Sequence, residues 1–334
     1  MKITTVTLAP NQATLTCYIQ DYSPKMPNAA VRPAMLVVPG GGYQYCSDRE
    51  AEPIALAYLA QGFNAFVLRY TVDSSTPIDK ALQDGTAVMD YLRANASALA
   101  IDPQKIAAVG FSAGGHLVAS LGTKLPKEQR PNALVLGYAA TLGDMWLITG
   151  KKEPDLHTLV DDNTPPAFLF ATQGDALVPV KNSLVFANAL AKHGIPFAMH
   201  IFPTGAHGLS LATSCTSGND PAMLNLTAAQ WLPMSIDFLH KLWGSLDIIS
   251  PDPELAAQSS ASPLSLSVPV RRLMKNPQAN ALLQSALGDM WQAVTSNPLS
   301  QGLCLREVAH FLQDALPGDA LDQLDAQLAQ IPVE

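Results

Sequence analysis

The chain has 334 residues, 48% of them hydrophobic and 14% charged, with a formal net charge of −8. That length fits one α/β domain of ordinary size plus an appendage, and an acidic chain with no basic stripe is a poor partner for nucleic acid. Cys17, Cys46, Cys215 and Cys304 are spaced for neither a zinc site nor a disulfide framework, the N-terminus lacks the apolar core of a signal peptide, and no apolar run is long enough to cross a bilayer.

These features predict a reduced, cytoplasmic setting, no membrane partner and no metal or other cofactor. Self-association into a homo-oligomer is left open. Residues 3–8 and 13–19 predict two short antiparallel edge strands joined at Asn11-Gln12. In the second, Ala13, Leu15, Cys17 and Ile19 alternate with Thr14, Thr16 and Tyr18. Ala34-Met35-Leu36-Val37-Val38 is continuously apolar, as expected of a parallel strand covered on both faces. It runs into Pro39-Gly40-Gly41-Gly42-Tyr43. Ser47-Asp48-Arg49-Glu50 then has the form of a capping box, which predicts a helix from there to about Gln61, stopped by Gly62.

Strand 64–70 is followed by a helix opened by Thr76-Pro77, with Gly85, Met89, Leu92 and Ala96 at helical spacing. The apolar run Ile106-Ala107-Ala108-Val109 leads into Gly110-Phe111-Ser112-Ala113-Gly114, and Leu117-Val118-Ala119-Ser120-Leu121 reads as the helix beyond. Strands at 133–138, 167–171 and 197–202 come next, with a helix over 181–193 ended by Gly194 and another near 222–243. Such alternation predicts an α/β architecture, a mostly parallel sheet with helices on both faces. Residues 140–164 break the rhythm and hold Met145-Trp146-Leu147-Ile148, a candidate lid. The catalytic domain is expected over 1–249. A Ser/Ala/Pro-rich linker follows over 250–265, and a small helical module over 266–334.

The chemistry is concentrated at three strand ends. A serine between glycines where a strand turns into a helix is the form of a nucleophile elbow. Its hydroxyl needs a base, and the base needs a group that fixes its tautomer. His207 in Gly205-Ala206-His207-Gly208 follows the last strand, and Asp175 follows the strand before it. Ser112, Asp175 and His207 are therefore the expected catalytic triad. His200 lies within a strand, and His116 lies one turn into the nucleophile helix; packing roles are expected for both. Ala113 is expected to supply one oxyanion donor, and Gly41 or Gly42 the other. The glycine run lacks the lysine of a phosphate loop and the spacing of a dinucleotide site. Tyr43, Phe111, Trp146 and Leu209 are candidates for shaping the substrate pocket.

At these residues the sequence resembles the esterase/lipase-like α/β-hydrolases described as acetyl esterases or acetylxylan-esterase-like proteins. The resemblance is carried by Pro39–Tyr43, Ser47–Glu50, Gly110–His116, Thr164-Pro165-Pro166, Asp175–Pro179 and Gly205–Gly208, and covers roughly residues 10–245. Pro39 departs from the His-Gly-Gly-Gly form of hormone-sensitive-lipase-like esterases, which favours the carbohydrate-esterase side. Leu273-Met274-Lys275-Asn276-Pro277 and Cys304-Leu305-Arg306-Glu307-Val308 look like a helical module appended to some bacterial glycosidases. The resemblance implies an α/β-hydrolase fold and removal of acetyl or other short acyl groups from a small-molecule or oligosaccharide ester. A prolyl-oligopeptidase-type peptidase and a non-catalytic binding protein on the same fold stand as alternatives.

Overall fold

The computed structural model describes residues 1–72, 78–149, 153–246, 250–252, 263–297, 300–310 and 318–332. The expected Thr76-Pro77 helix start and most of the expected linker lie outside these residues. The chain divides into two compact units, Met1–Ser250 and Pro251–Glu334.

The first unit is built on one eight-stranded sheet with strand order β1-β2-β4-β3-β5-β6-β7-β8. The strands are β1 (Lys2–Leu8), β2 (Ala13–Ile19), β3 (Arg32–Val38), β4 (Asn64–Arg69), β5 (Ile101–Phe111), β6 (Ala133–Gly137), β7 (Ala167–Thr172) and β8 (Phe197–Phe202). β1 pairs antiparallel with β2, and β2 antiparallel with β4. From β4 to β8 every pairing is parallel. Only β1 of the first two strands is an edge. β2 was expected at the edge too, but its register of Leu15 against Leu68 and Cys17 against Phe66 places it inside the sheet. Its buried face then continues the apolar surface of β4.

Helices α1 (Glu52–Leu59), α2 (Ile78–Ala94), α3 (Ala113–Lys124), α4 (Lys181–His193) and α5 (Trp231–Trp243) cover the sheet. The side-chain alternation of a strand sorts the two faces. On β7, Phe170 stacks on Trp231 of α5 and Phe168 packs on Phe238, while Ala167 and Leu169 join the core cluster that contains α2, α3 and α4. α1 shares the α5 side, where the Tyr58 hydroxyl meets Ser235 Oγ at 2.8 Å.

Two predicted helix starts are displaced. Ser47 makes no side-chain cap, and Asp48–Glu50 forms only one 3-10 turn before α1 begins. The expected helix near 222–243 is regular only from Trp231, because Pro221–Met223 and Ala228–Gln230 form separate 3-10 turns. By contrast α4 has the expected limits, with Gly194 left-handed at φ 67° after its last turn.

The second unit has its own core of Leu266, Val270, Leu273, Leu283, Trp291 and Leu328, among others. Among the described residues its helices are α6 (Val270–Lys275), α7 (Pro277–Leu287), α8 (Asp289–Ser296), α9 (Leu305–His310) and α10 (Gly318–Leu328). The Asn276 side chain caps α7 by accepting from the Gln278 and Ala279 N–H groups, both at 3.0 Å. The buried Trp291 indole donates to Asn280 Oδ1 at 2.7 Å. Asp325 accepts from the Leu266 N–H and pairs with Arg306, which ties the start of this unit to its last helix.

Candidate active site

Five loops meet at the carboxyl ends of the parallel strands, where open α/β sheets place their ligand sites. The turn after β5 carries Ser112 at φ 51°, ψ −115°, a left-handed conformation costly for a residue with a side chain. Backbone bonds hold it there: Ser112 N–H donates to the Gly137 carbonyl at 3.1 Å, and the Ala140 N–H donates to the Ser112 carbonyl at 3.2 Å. The turn also needs bare backbone. A Cβ on Gly114 would stand 2.2 Å from the Val38 carbonyl oxygen and 2.3 Å from that of Pro39.

His207, on the loop after β8, places Nε2 2.9 Å from Ser112 Oγ and Nδ1 2.7 Å from Asp175 Oδ2. Because the carboxylate can only accept, Nδ1–H is the donor to it, and Nε2 is left to accept from the serine hydroxyl. Asp175 is buried in the turn after β7. Its other oxygen accepts from the Leu177 and Val178 N–H groups at 2.9 and 2.8 Å. Thr172 Oγ1 donates to the Gly205 carbonyl at 2.8 Å, anchoring the histidine loop to the end of β7.

The loop after β3 faces the same serine. Among the described residues no hydrogen bond engages the Gly41, Gly42 or Ala113 N–H groups. Ala113 is the first residue of α3, so its N–H has no acceptor within the helix. Gly41 takes φ 125°, a conformation that L side chains rarely adopt.

Glu50, which the capping-box spacing assigns to a helix start, holds this loop instead. Its carboxyl is buried and accepts from the Gly40 N–H at 2.8 Å and from the Tyr138 hydroxyl at 2.6 Å. Tyr138, just past β6, accepts in turn from the Ser210 N–H at 3.0 Å, and its ring lies edge-on to His207 with centroids 5.1 Å apart. Burial pushes the Glu50 carboxyl above its ordinary value, against the lowering effect of the Tyr138 and Gly40 hydrogen bonds. The Tyr138 phenol is raised well above its own by burial and then by Glu50. Neither residue was expected at the site. The only signal in the sequence was a carboxylate shortly after a glycine run, and the capping-box spacing gave it a local explanation.

Ser112, His207, Gly41 and Gly42 open onto a cavity of about 1010 Å³. Of the residues expected to shape it, Trp146 lines it, while Tyr43, Phe111 and Leu209 do not. Phe111 is the last residue of β5 and points to the α5 face, against Tyr138 and Trp231. Tyr43 is buried behind the glycine loop, with its hydroxyl 2.7 Å from His116 Nδ1. Leu209 is buried beneath the histidine loop, where a Cβ on Gly205 would meet its side chain at 2.7 Å. Tyr45, Arg49, Met145, Leu177 and Met223 form walls that sequence reading did not assign. They come from four loops, and only the fold brings them together. His116 is fully buried and lowered to about 3 by desolvation, so its ring is neutral. His200 stacks on Phe168 at 5.3 Å. Asp161, before β7, pairs with the Arg130 guanidinium at 2.5 and 2.8 Å.

Comparison with known proteins fits this geometry. The BD-FAE family model matches residues 20–138, and that of the prolyl oligopeptidase family matches residues 150–217. The chain is 39% identical over 209 residues to endo-1,4-beta-xylanase B of Butyrivibrio fibrisolvens, over 54% of this chain and 33% of that protein. It is 31% identical over 203 residues to an acetylxylan esterase of Xylanibacter ruminicola, over 54% of this chain and 42% of that protein. The chain thus spans less than half the length of these curated relatives.

Among solved structures, the α/β-hydrolase MGS-M1 from a Medee basin deep-sea metagenome library is 44% identical, with a TM-score of 0.66 over 74% of this chain and 99% of that one. The carboxylesterase Cest-2923 of Lactobacillus plantarum WCFS1 is 30% identical, with a TM-score of 0.68 over 73% and 99%. An acetyl ester-xyloside bifunctional hydrolase from Caldicellulosiruptor lactoaceticus is 33% identical, with a TM-score of 0.61 over 71% and 90%. On the sheet order and the first two of these structural matches, which cover 99% of each neighbour and 73–74% of this chain, the chain belongs to the esterase family of α/β-hydrolase fold.

Proposed function

We propose that the protein is a serine esterase that removes acetyl or other short acyl groups from sugars or xylo-oligosaccharides. The observation that carries the mechanism is the hydrogen-bond chain from Ser112 Oγ through His207 to Asp175, opening beside N–H groups that have no acceptor among the described residues. Ser112 Oγ attacks the ester carbonyl while His207 Nε2 takes its proton. Asp175 holds the imidazole in the productive tautomer and stabilises its cation. The oxyanion forms against the Ala113 N–H and one or both of the Gly41 and Gly42 N–H groups. His207 then gives the proton to the leaving alcohol, and the sugar departs. A water deprotonated by the same imidazole attacks the acyl-enzyme and releases the acid, returning Ser112 to its starting form.

The sugar assignment is supported by the acetylxylan esterase relative and by the structural likeness to an acetyl ester-xyloside hydrolase. The cavity suits it too: Tyr45, 61% exposed, offers a ring face, and Arg49 and Asp48 offer polar groups along the same wall. One observation favours a second reading. The prolyl oligopeptidase model matches the segment holding both Asp175 and His207, and a peptidase would use the same three groups.

The test is hydrolysis of para-nitrophenyl acetate, of acetylated xylo-oligosaccharides and of a prolyl peptide amide, by wild type and Ser112→Ala. The proposal expects turnover of the first two substrates only. Ser112→Ala should lower it by about 10⁴-fold or more. Cleavage of the peptide with acetylated sugars untouched would replace the esterase reading with the peptidase one.

A further inference from the structure

An ester bound for attack has few free directions. Its carbonyl carbon sits over Ser112 Oγ, its carbonyl oxygen points to the oxyanion donors, and its leaving oxygen must reach His207 Nε2 for a proton. The acyl chain takes the direction left over, away from His207.

Packing tells which cavity wall lies on which side. Leu177 and Val178 belong to the turn that holds Asp175, Gly208 follows His207, and Arg49 Nη1 donates to the Gly208 carbonyl at 3.5 Å. These surround the leaving alcohol. Trp146 belongs to the other side. Its ring packs on Tyr43, from the loop that carries Gly41 and Gly42, at 5.2 Å, and on His116, from the helix that starts after Ser112, at 4.8 Å. It lines the cavity and yet is only 4% exposed, so it is a wall and not a flap.

The geometry points to Trp146 as the residue that sets acyl-chain length, by closing the acyl side of the cavity, with the Tyr43–His116 pair holding its ring in position. The inference rests on the esterase reading given above. The wall is built to stay put. The Tyr43 hydroxyl and His116 Nδ1 are 2.7 Å apart, Tyr43 lies edge-on to Tyr70 at 5.5 Å, and the Tyr70 hydroxyl donates to the Pro39 carbonyl at 3.0 Å. Moving the indole therefore means moving the loop that carries the oxyanion donors. A longer acyl chain meets a rigid barrier, and the leaving group meets the more exposed wall at Leu177.

The experiment measures kcat/KM for para-nitrophenyl acetate, butyrate, hexanoate and octanoate in wild type, Trp146→Ala, Trp146→Leu and Leu177→Ala. Wild type should fall steeply with chain length. Trp146→Ala should raise the octanoate-to-acetate ratio at least about tenfold, since each methylene admitted to an apolar pocket is worth roughly that much discrimination. Trp146→Leu, which keeps apolar bulk behind the loop, should change the ratio in the same direction by less, and it decides the matter if the alanine variant does not fold. Leu177→Ala, on the alcohol side, should leave the ratio within about threefold of wild type while changing relative rates on acetates of different alcohols. A folded, active Trp146 variant with an unchanged ratio overturns the assignment, as does an equal shift in Leu177→Ala. A wild type inactive on every ester overturns the esterase reading itself, and the inference with it; the two failures are thus distinct.

Discussion

The two glycine-rich loops that flank Ser112 share close backbone packing but differ in one respect: only the Gly40–Gly42 loop also leans on a buried carboxyl. In the Ser112 turn, the backbone of β3 and the start of α3 approach so closely that a single added carbon at Gly114 would sit 2.2 Å from a carbonyl oxygen. In the Gly40–Gly42 loop, space is open at Gly42 but not at Gly41, where a Cβ would stand 2.1 Å from the Tyr45 carbonyl oxygen, and a buried carboxyl, Glu50, adds bonds to the Gly40 N–H and the Tyr138 hydroxyl. A turn fixed by steric exclusion tolerates no volume. The second loop also tolerates no volume at Gly41, but it admits volume at Gly42 and depends in addition on its polar partner.

The largest expected effect tests the steric half of that contrast. Gly114→Ala should lower stability by about 4 kcal/mol or more, because the colliding atoms are backbone and cannot rotate away. Thermal or urea unfolding measures it, and a loss below ~1 kcal/mol would mean that the turn relaxes easily.

Removing Glu50 tests the polar half. Glu50→Ala leaves the Gly40 N–H and the Tyr138 hydroxyl buried without their acceptor, which should cost about 2–4 kcal/mol. The larger signature is catalytic. If the loop positions an oxyanion donor, kcat should fall about 10²-fold while KM changes little. Glu50→Gln, which keeps the shape and one acceptor, should recover part of both.

The two buried titratable groups respond oppositely to pH. Burial raises the Glu50 carboxyl above its ordinary value of 4.5, so its contribution to stability is complete below that value and is lost as pH rises toward its folded-state value. The stability of Glu50→Gln relative to wild type should therefore improve over that rise. His116 is lowered from 6.5 to about 3, so its contribution is present above 6.5 and is lost as pH falls from there toward 3. A His116→Gln variant should lose less stability than wild type over that fall. Melting temperatures measured from pH 3 to pH 8 check both signs (~5 units cover both transitions).

The smallest expected effect separates the local reading of Ser47-Asp48-Arg49-Glu50 from the observed one. Ser47 makes no side-chain cap, so Ser47→Ala should change stability by less than about 0.5 kcal/mol, whereas loss of a true N-cap costs ~1 kcal/mol. A full cap penalty would return Glu50 to its helix-cap role.

The same contrast governs what the sequence could reveal. The Ser112 turn is legible because its constraints lie within a few residues: a strand, two glycines, a helix. α4 and β8 are legible for the same reason, since periodicity and Gly194 act locally. Glu50 was misread because its partners are 10 and 88 positions away, and nothing local distinguishes a cap from a long-range acceptor. β2 was placed at an edge because its alternation says which face is buried and not which strand lies beside it; β4 is its neighbour, some fifty positions on. The pocket suffered most. Tyr43 and Phe111 were natural candidates from their nearness to Gly42 and Ser112, but adjacent residues on a strand or tight turn point in opposite directions. The walls at Met145, Leu177 and Met223 come from separate loops.

The central claim is that Ser112 is the nucleophile and that His207 activates it. Labelling with a fluorophosphonate, followed by peptide mass spectrometry, tests it most directly. The account predicts one adduct per chain, on the peptide that carries Ser112. The adduct should be absent in Ser112→Ala and slowed by ~10³-fold or more in His207→Ala, with ester turnover lost in parallel. An adduct on another serine, or ester turnover that survives in Ser112→Ala, would contradict it.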